Sequence, residues 1–208
     1  PAIKYGDRSY TYQEFSDRVN KLAGALKSQG LKRGEKVGFL VPNIPEMLEG
    51  HFAPLKIGAV LVAINIRLSG REISYILNHS EAKILVFDSE YGDIIEKIKP
   101  ELKNIKCFVQ IVDTEPENTN IESIEYEQFL LSSSEGEHSI SLESEEDAVT
   151  INYTSGTTGM PKGVQYSSRG AYISALGNVI ESGMSSKTNY LWTLPMFHCN
   201  GWCYPWAV

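Results

Sequence analysis

From its amino end, the chain first shows apolar Phe15, Val19, Leu22 and Leu26 at helical spacing, the signature of a helix with one buried face. Thr11-Tyr12-Gln13-Glu14 has the form of a capping box, in which the Thr hydroxyl and the Glu carboxylate satisfy orphan helix N–H groups, and Gly30 supplies the C-terminal cap. The pattern then shortens. Residues 36–41 predict a buried strand, and Asn43-Ile44-Pro45-Glu46 opens a second helix with Pro in its first turn. Pro54 is expected to kink that helix or end it early. Beyond Gly58, residues 59–64 read as strand, 71–78 as helix, 83–87 as strand, 94–98 as helix and 107–112 as strand. Such alternation implies βαβ crossovers, so the expected class is α/β, a parallel-rich, Rossmann-like sheet with flanking helices.

The rhythm breaks at residues 113–147. This stretch holds twelve of the 26 acids and no Lys or Arg, leaving fourteen acids against nineteen bases elsewhere. The net charge of −7 is therefore one segment's property. The segment is expected to be partly mobile and to present a solvated face, with a short element over 121–131 and little apolar content over 132–137. An acidic chain without grouped Lys and Arg is a poor nucleic-acid binder. No apolar run reaches the ~20 residues of a membrane span. Three cysteines with no basic-then-apolar leader read as reduced thiols in a cytoplasm. The rhythm resumes with a strand over 148–153, an extended stretch over 163–166, a helix over 169–181 and a strand over 190–194.

Candidate chemistry lies between two of these strands. Thr154-Ser155-Gly156-Thr157-Thr158-Gly159-Met160-Pro161-Lys162-Gly163 packs four hydroxyls, three glycines and one lysine into ten residues. Glycines let backbone N–H groups approach an anion, hydroxyls add donors, and a lysine adds a point charge suited to phosphate. This is not a Walker loop, because Lys162 sits between Pro161 and Gly163 rather than before Ser or Thr.

Residues 153–164 resemble the phosphate-binding signature of the adenylate-forming (AMP-binding) superfamily: acyl-CoA synthetases, luciferases and peptide-synthetase adenylation domains. Tyr10-Thr11-Tyr12-Gln13-Glu14-Phe15 is similar to that family's early helix entry. Leu55-Lys56-Ile57-Gly58-Ala59-Val60 with Ile64-Asn65 is similar to its second core motif, and Leu194-Pro195-Met196-Phe197-His198-Cys199-Asn200-Gly201-Trp202 to the motif lining its acyl pocket. The resemblance implies a carboxylic acid attacking the α-phosphorus of ATP to give acyl-adenylate and pyrophosphate, with Mg²⁺ offsetting phosphate charge. In the acyl-CoA synthetase branch, CoA then displaces AMP. Carried over by motif position, Thr154, Ser155, Gly156, Thr157, Thr158, Gly159 and Lys162 would cradle the β- and γ-phosphates. Lys162 and His198 are the implied catalytic residues, His198 near the carboxylate. For His198 a second reading stands beside this one, a histidine packed with Phe197 and Trp202. Ser168 stands where many relatives place His.

The resemblance further implies that residues 1–208 are part of a large N-terminal AMP-binding domain. Contacts to adenine, ribose and Mg²⁺ and a small domain with a catalytic lysine would then lie beyond Val208. The apolar run Tyr204-Pro205-Trp206-Ala207-Val208 and the start at Pro1 point the same way. On this reading the chain alone is inactive and its parent takes a fatty or other simple carboxylic acid. The alternatives are an aryl-CoA ligase or adenylation domain, and a complete non-catalytic module that binds a phosphate ligand or a partner. No metal site is expected from His198, Cys199 and Cys203, which are too few and too tightly spaced. Exposed strand edges make assembly as a homo-oligomer one expectation.

Overall fold

The computed structural model describes residues 1–113, 121–133, 143–154 and 159–208. It opens on a hairpin, β1 (Ile3–Tyr5) and β2 (Arg8–Tyr10), too short to register as a sequence pattern. Helix α1 (Tyr12–Ser28) begins on the capping box: Thr11 Oγ1 accepts the Glu14 N–H at 3.2 Å, and the Glu14 carboxylate accepts the Thr11 N–H at 2.7 Å. It ends with the Leu31 N–H on the Leu26 carbonyl at 3.1 Å and the Gly30 N–H on the Lys27 carbonyl at 2.9 Å. Gly30 takes a φ of +83° that favours glycine in this Schellman turn.

The sheet contains β3 (Lys36–Leu40), β4 (Val60–Ala63), β5 (Ile84–Asp88), β6 (Cys107–Ile111), β7 (Ile124–Glu125), β8 (Ala148–Thr154) and β9 (Lys162–Ser167). The spatial order is β7-β6-β5-β3-β4-β8-β9, parallel throughout except for the antiparallel β8–β9 pair. The crossovers run through α2 (Pro45–Lys56), α3 (Gly70–His79) and α4 (Gly92–Ile98), while α5 (Tyr126–Leu131) and α6 (Ser168–Glu181) follow β7 and β9. Leu22, Leu26, Phe39 and Met47 belong to one buried cluster, and Ile73, Leu77, Phe87 and Ile95 to another. Strands covered on both faces read as continuous apolar runs, which is why β3, β4 and β5 stand out in the sequence.

One expectation is corrected and two are refined. Helix α2 ends at Lys56, two residues past Pro54, and the Pro54 carbonyl accepts the N–H groups of Ile57 at 3.1 Å and Ala59 at 2.9 Å to close it. Residues 190–194 form no strand. The end of this stretch is tied down instead by Asn43, whose Nδ2 donates to the Leu194 carbonyl and whose Oδ1 accepts the N–H of Met196 just beyond it, both at 2.8 Å. The acidic segment keeps a solvated face, with Glu122, Glu125, Glu127, Glu143, Glu145 and Glu146 exposed, and adds ion pairs to it: Asp113 with Arg8, Glu127 with Arg18, Asp147 with Arg33 and Glu145 with Arg169. The stretches 114–120 and 134–142, on which the expected mobility partly falls, lie outside the described residues.

Candidate active site

In parallel α/β sheets, ligands bind beyond the carboxyl ends of the strands. Here that edge is formed by Ala63 of β4 and Thr154 of β8. The antiparallel register places Thr154 opposite Lys162 and Tyr153 opposite Gly163, so the predicted loop opens from the carboxyl edge with its hydroxyl and its lysine facing across the mouth. Thr154, Gly159 and Lys162 are exposed there. Ser155, Gly156, Thr157 and Thr158 lie outside the described residues.

The two faces of β8 hold this edge differently. On one, the Tyr153 hydroxyl lies 2.8 Å from His79 Nδ1, with the rings edge to face. Burial pushes that phenol up to about 12, so it stays protonated at neutral pH and can donate to the imidazole. Gly163 lies against this anchor: a Cβ there would sit 3.2 Å from Tyr153 Cζ. The other face carries a polar row, Thr150, Asn152 and Thr154, by strand alternation. Thr150 Oγ1 donates to the Leu61 carbonyl at 3.0 Å and lies 3.3 Å from Asn200 Oδ1. Asn152 is only 4% exposed, yet neither its Oδ1 nor its Nδ2 finds a hydrogen-bond partner. A cavity of about 30 Å³ lies here, lined among others by Ala63, Asn65, Asn152, Thr154 and His198.

The segment that brings His198 to this cavity has unusual geometry. The residues Cys199, Asn200, Gly201, Trp202 and Cys203 all have positive φ, from +50° to +64°. Left-handed backbone costs L-residues roughly 1–2 kcal/mol each, and such strain persists only where the surroundings over-determine it. Several contacts do so. Asn178 Nδ2 of α6 donates to the Trp202 carbonyl at 2.5 Å, Tyr204 Oη lies 2.9 Å from Ser182 Oγ, and Asn200 is fully buried. Gly201 has no room for a side chain, since a Cβ would lie 2.9 Å from Trp192 Cζ2. His198 itself is exposed at the rim, while its neighbour Phe197 is buried.

The structure thus brings Thr154, Gly159 and Lys162 to one hairpin mouth and sets His198 on a cavity that Thr154 also lines. Ser168 does not join them. It begins α6 at the other end of the β8–β9 ladder, its N–H on the Asp147 carbonyl at 2.9 Å. Asn152 and Asn200 escaped the sequence reading; the signal for Asn152 was the Thr150, Asn152, Thr154 alternation inside an otherwise apolar strand. Two larger cavities, of about 340 and 410 Å³, lie elsewhere, one beside Arg33 and Lys36 at the amino edge and one between the N-terminal hairpin and Trp192. Among the described residues no helix is long and apolar enough to cross a membrane.

Fold and site together define a parallel α/β domain with its candidate site at the carboxyl edge of the sheet. The chain belongs to the AMP-binding enzyme family, whose sequence model matches residues 1–208. It is 38% identical over 220 residues to a protein of Arabidopsis thaliana named as a peroxisomal acetate/butyrate–CoA ligase, covering 100% of this chain and 39% of that protein. It is 38% identical over 210 residues to a protein named 4-hydroxybutyrate–CoA ligase from Metallosphaera sedula, covering 100% of this chain and 38% of that protein. A crystal structure of an anthranilate CoA ligase in complex with anthranoyl-AMP superposes with a TM-score of 0.78 at 28% identity, over 98% of this chain and 39% of that one. The chain therefore spans well under half the length of these proteins.

Proposed function

We propose that this chain carries the phosphate-binding part of an ATP-dependent acyl-CoA synthetase acting on a simple carboxylic acid. The observation that carries this reading is the placement of Thr154 opposite Lys162 at the carboxyl edge, closing a Gly/Ser/Thr loop. The likeness to CoA ligases along the whole chain supports it.

The residues suit phosphate. Thr154 and Lys162 are exposed toward the mouth, one a hydroxyl donor and the other a cation, with Gly159 leaving the backbone accessible. With Ser155, Gly156, Thr157 and Thr158 they would hold the β- and γ-phosphates of ATP. Their chemical contribution is to stabilise the negative charge that builds on pyrophosphate as the carboxylate oxygen bonds to the α-phosphorus and the bond to pyrophosphate breaks. His198, at the rim of the adjoining cavity, would orient the carboxylate and donate a hydrogen bond to the developing adenylate. Mg²⁺ would offset phosphate charge. Among the described residues no three His, Cys, Asp or Glu gather as a metal cluster. CoA is the expected thiol acceptor, and no residue of this chain is assigned to it.

The acid, rather than a nucleic acid, is the partner we infer, and self-association would use the end strands β7 or β9. The three free thiols suit a reducing compartment, which we take to be the cytoplasm; imaging of a tagged parent protein against cytosolic and peroxisomal markers tests this. The activity is tested by acid-dependent pyrophosphate–ATP exchange in the parent protein with a panel of short, long and aryl acids. Exchange with simple acyl acids, followed by thioester formation with CoA, is the expected result. No exchange with any acid would leave a non-catalytic phosphate-binding module as the reading.

A further inference from the structure

We propose that Asn152 is a ligand-contacting residue: its side-chain amide hydrogen-bonds an oxyanion brought to the β8–β9 mouth. The inference rests on the reading of that mouth as an anion site, and it adds a residue outside the signature loop.

An amide removed from water without a partner is costly, and a buried amide with both atoms unpaired calls for a group that completes it. Asn152 is 4% exposed with both amide atoms unpartnered, while its row-mate Thr150 on the same face is bonded. The difference lies in what each faces. Thr150 meets Leu61 and Asn200, whereas Asn152 lines the cavity of about 30 Å³ with Thr154 and His198. A cavity needs roughly 10–15 Å³ of such space to hold one water, so this one admits at least one oxygen-sized group. Asn152 Nδ2 would donate to this oxygen, and Oδ1 remains to accept from an N–H or O–H beside it. Two residues before Thr154 and on the same side of the pleat, the amide extends the donor set of the mouth inward along β8.

A carboxylate and a phosphate both present such an oxygen, and two titrations separate them. The side-chain amide signal of Asn152, assigned by its loss in N152L, is followed by proton–nitrogen NMR on the full-length parent protein with inorganic pyrophosphate and, separately, with butyrate. A saturable shift in one arm is expected and names the source. N152L, nearly the same shape, should weaken that binding about tenfold or more, because a charge-assisted hydrogen bond is lost. It should leave the melting temperature unchanged or raised, because an unsatisfied buried amide is replaced by apolar surface. N152D, which removes the donors and adds like charge, should weaken binding at least as much. If the Thr154 and Lys162 amides shift while the Asn152 signal does not, this inference is overturned and the anion reading survives. If no signal at the mouth responds to either anion, both are overturned. A marked fall in melting temperature for both variants would assign the amide a structural role and overturn the inference as well.

Discussion

Thr154 and Lys162 occupy directly opposed positions in the β8–β9 ladder, so seven intervening residues leave and re-enter the sheet at a single point on its carboxyl edge. On the proposed function, Thr154 and Lys162 at this point would stabilise the charge that builds on the leaving pyrophosphate.

Replacing Lys162 by Ala in the parent protein is therefore expected to slow acid-dependent pyrophosphate–ATP exchange by about 10²–10³-fold, the range for losing one preorganised charge-stabilising group. The side chain is exposed, so thermal unfolding should stay close to wild type. Unchanged exchange kinetics would remove Lys162 from the reacting centre.

Gly50 lies where α2 presses on β3. A Cβ built there would stand 2.5 Å from Cε1 of Phe39, a ring with no exposure to solvent. Helix propensity favours Ala over Gly by about 1 kcal/mol, but overpacking a close-packed core costs roughly 1–3 kcal/mol and here the clash is with a rigid ring. Gly50→Ala is expected to lower the urea midpoint despite the better helix former. A higher midpoint would mean that the α2–β3 contact relaxes freely.

His51 is fully buried, its Nδ1 2.8 Å from the Met47 carbonyl, and burial holds its pKa down at about 4 against an ordinary 6.5. The unfolded chain thus binds a proton between pH 6.5 and 4 that the folded chain refuses. The neutral ring's contribution is intact above pH 6.5 and is lost as pH falls to 4, on the order of 3 kcal/mol in all. A His51→Gln variant should show a flatter stability profile than wild type across that window. Parallel profiles would show that His51 titrates normally.

Asn43 bridges two distant stretches, with both of its bonds to the backbone of Leu194 and Met196. Asn43→Ala should loosen residues 190–198 while leaving the sheet intact, since each lost bond strands a backbone group at a cost of about 1–3 kcal/mol. Hydrogen exchange is expected to quicken at Met196 and to stay unchanged in β3 and β4. Uniform quickening across the sheet would argue that this segment is part of the global core.

Much of the fold was legible in local pattern. The Thr11–Glu14 capping box, the Gly30 turn and the apolar runs of β3, β4 and β5 need only neighbours in sequence to specify them. Segment 190–194 reads as a strand for the same reason, being apolar and aromatic; the reading fails because a strand needs a ladder partner and these residues pair with none, the Leu194 carbonyl accepting from Asn43 instead.

The sequence by itself determined the α/β class, the donor-rich make-up of the 154–163 loop and the family to which the chain belongs, because these depend on residue types at short spacing. Tertiary structure alone decided that Arg8, Arg18, Arg33 and Arg169 would pair with acids of that segment, that Ser168 would stand at the opposite end of the ladder from Lys162, and that Asn152 would be buried without a partner beside Thr154. The reason is physical: pairing and burial are set by strand order and register, which join residues far apart in sequence, and no local period encodes which strand lies beside which.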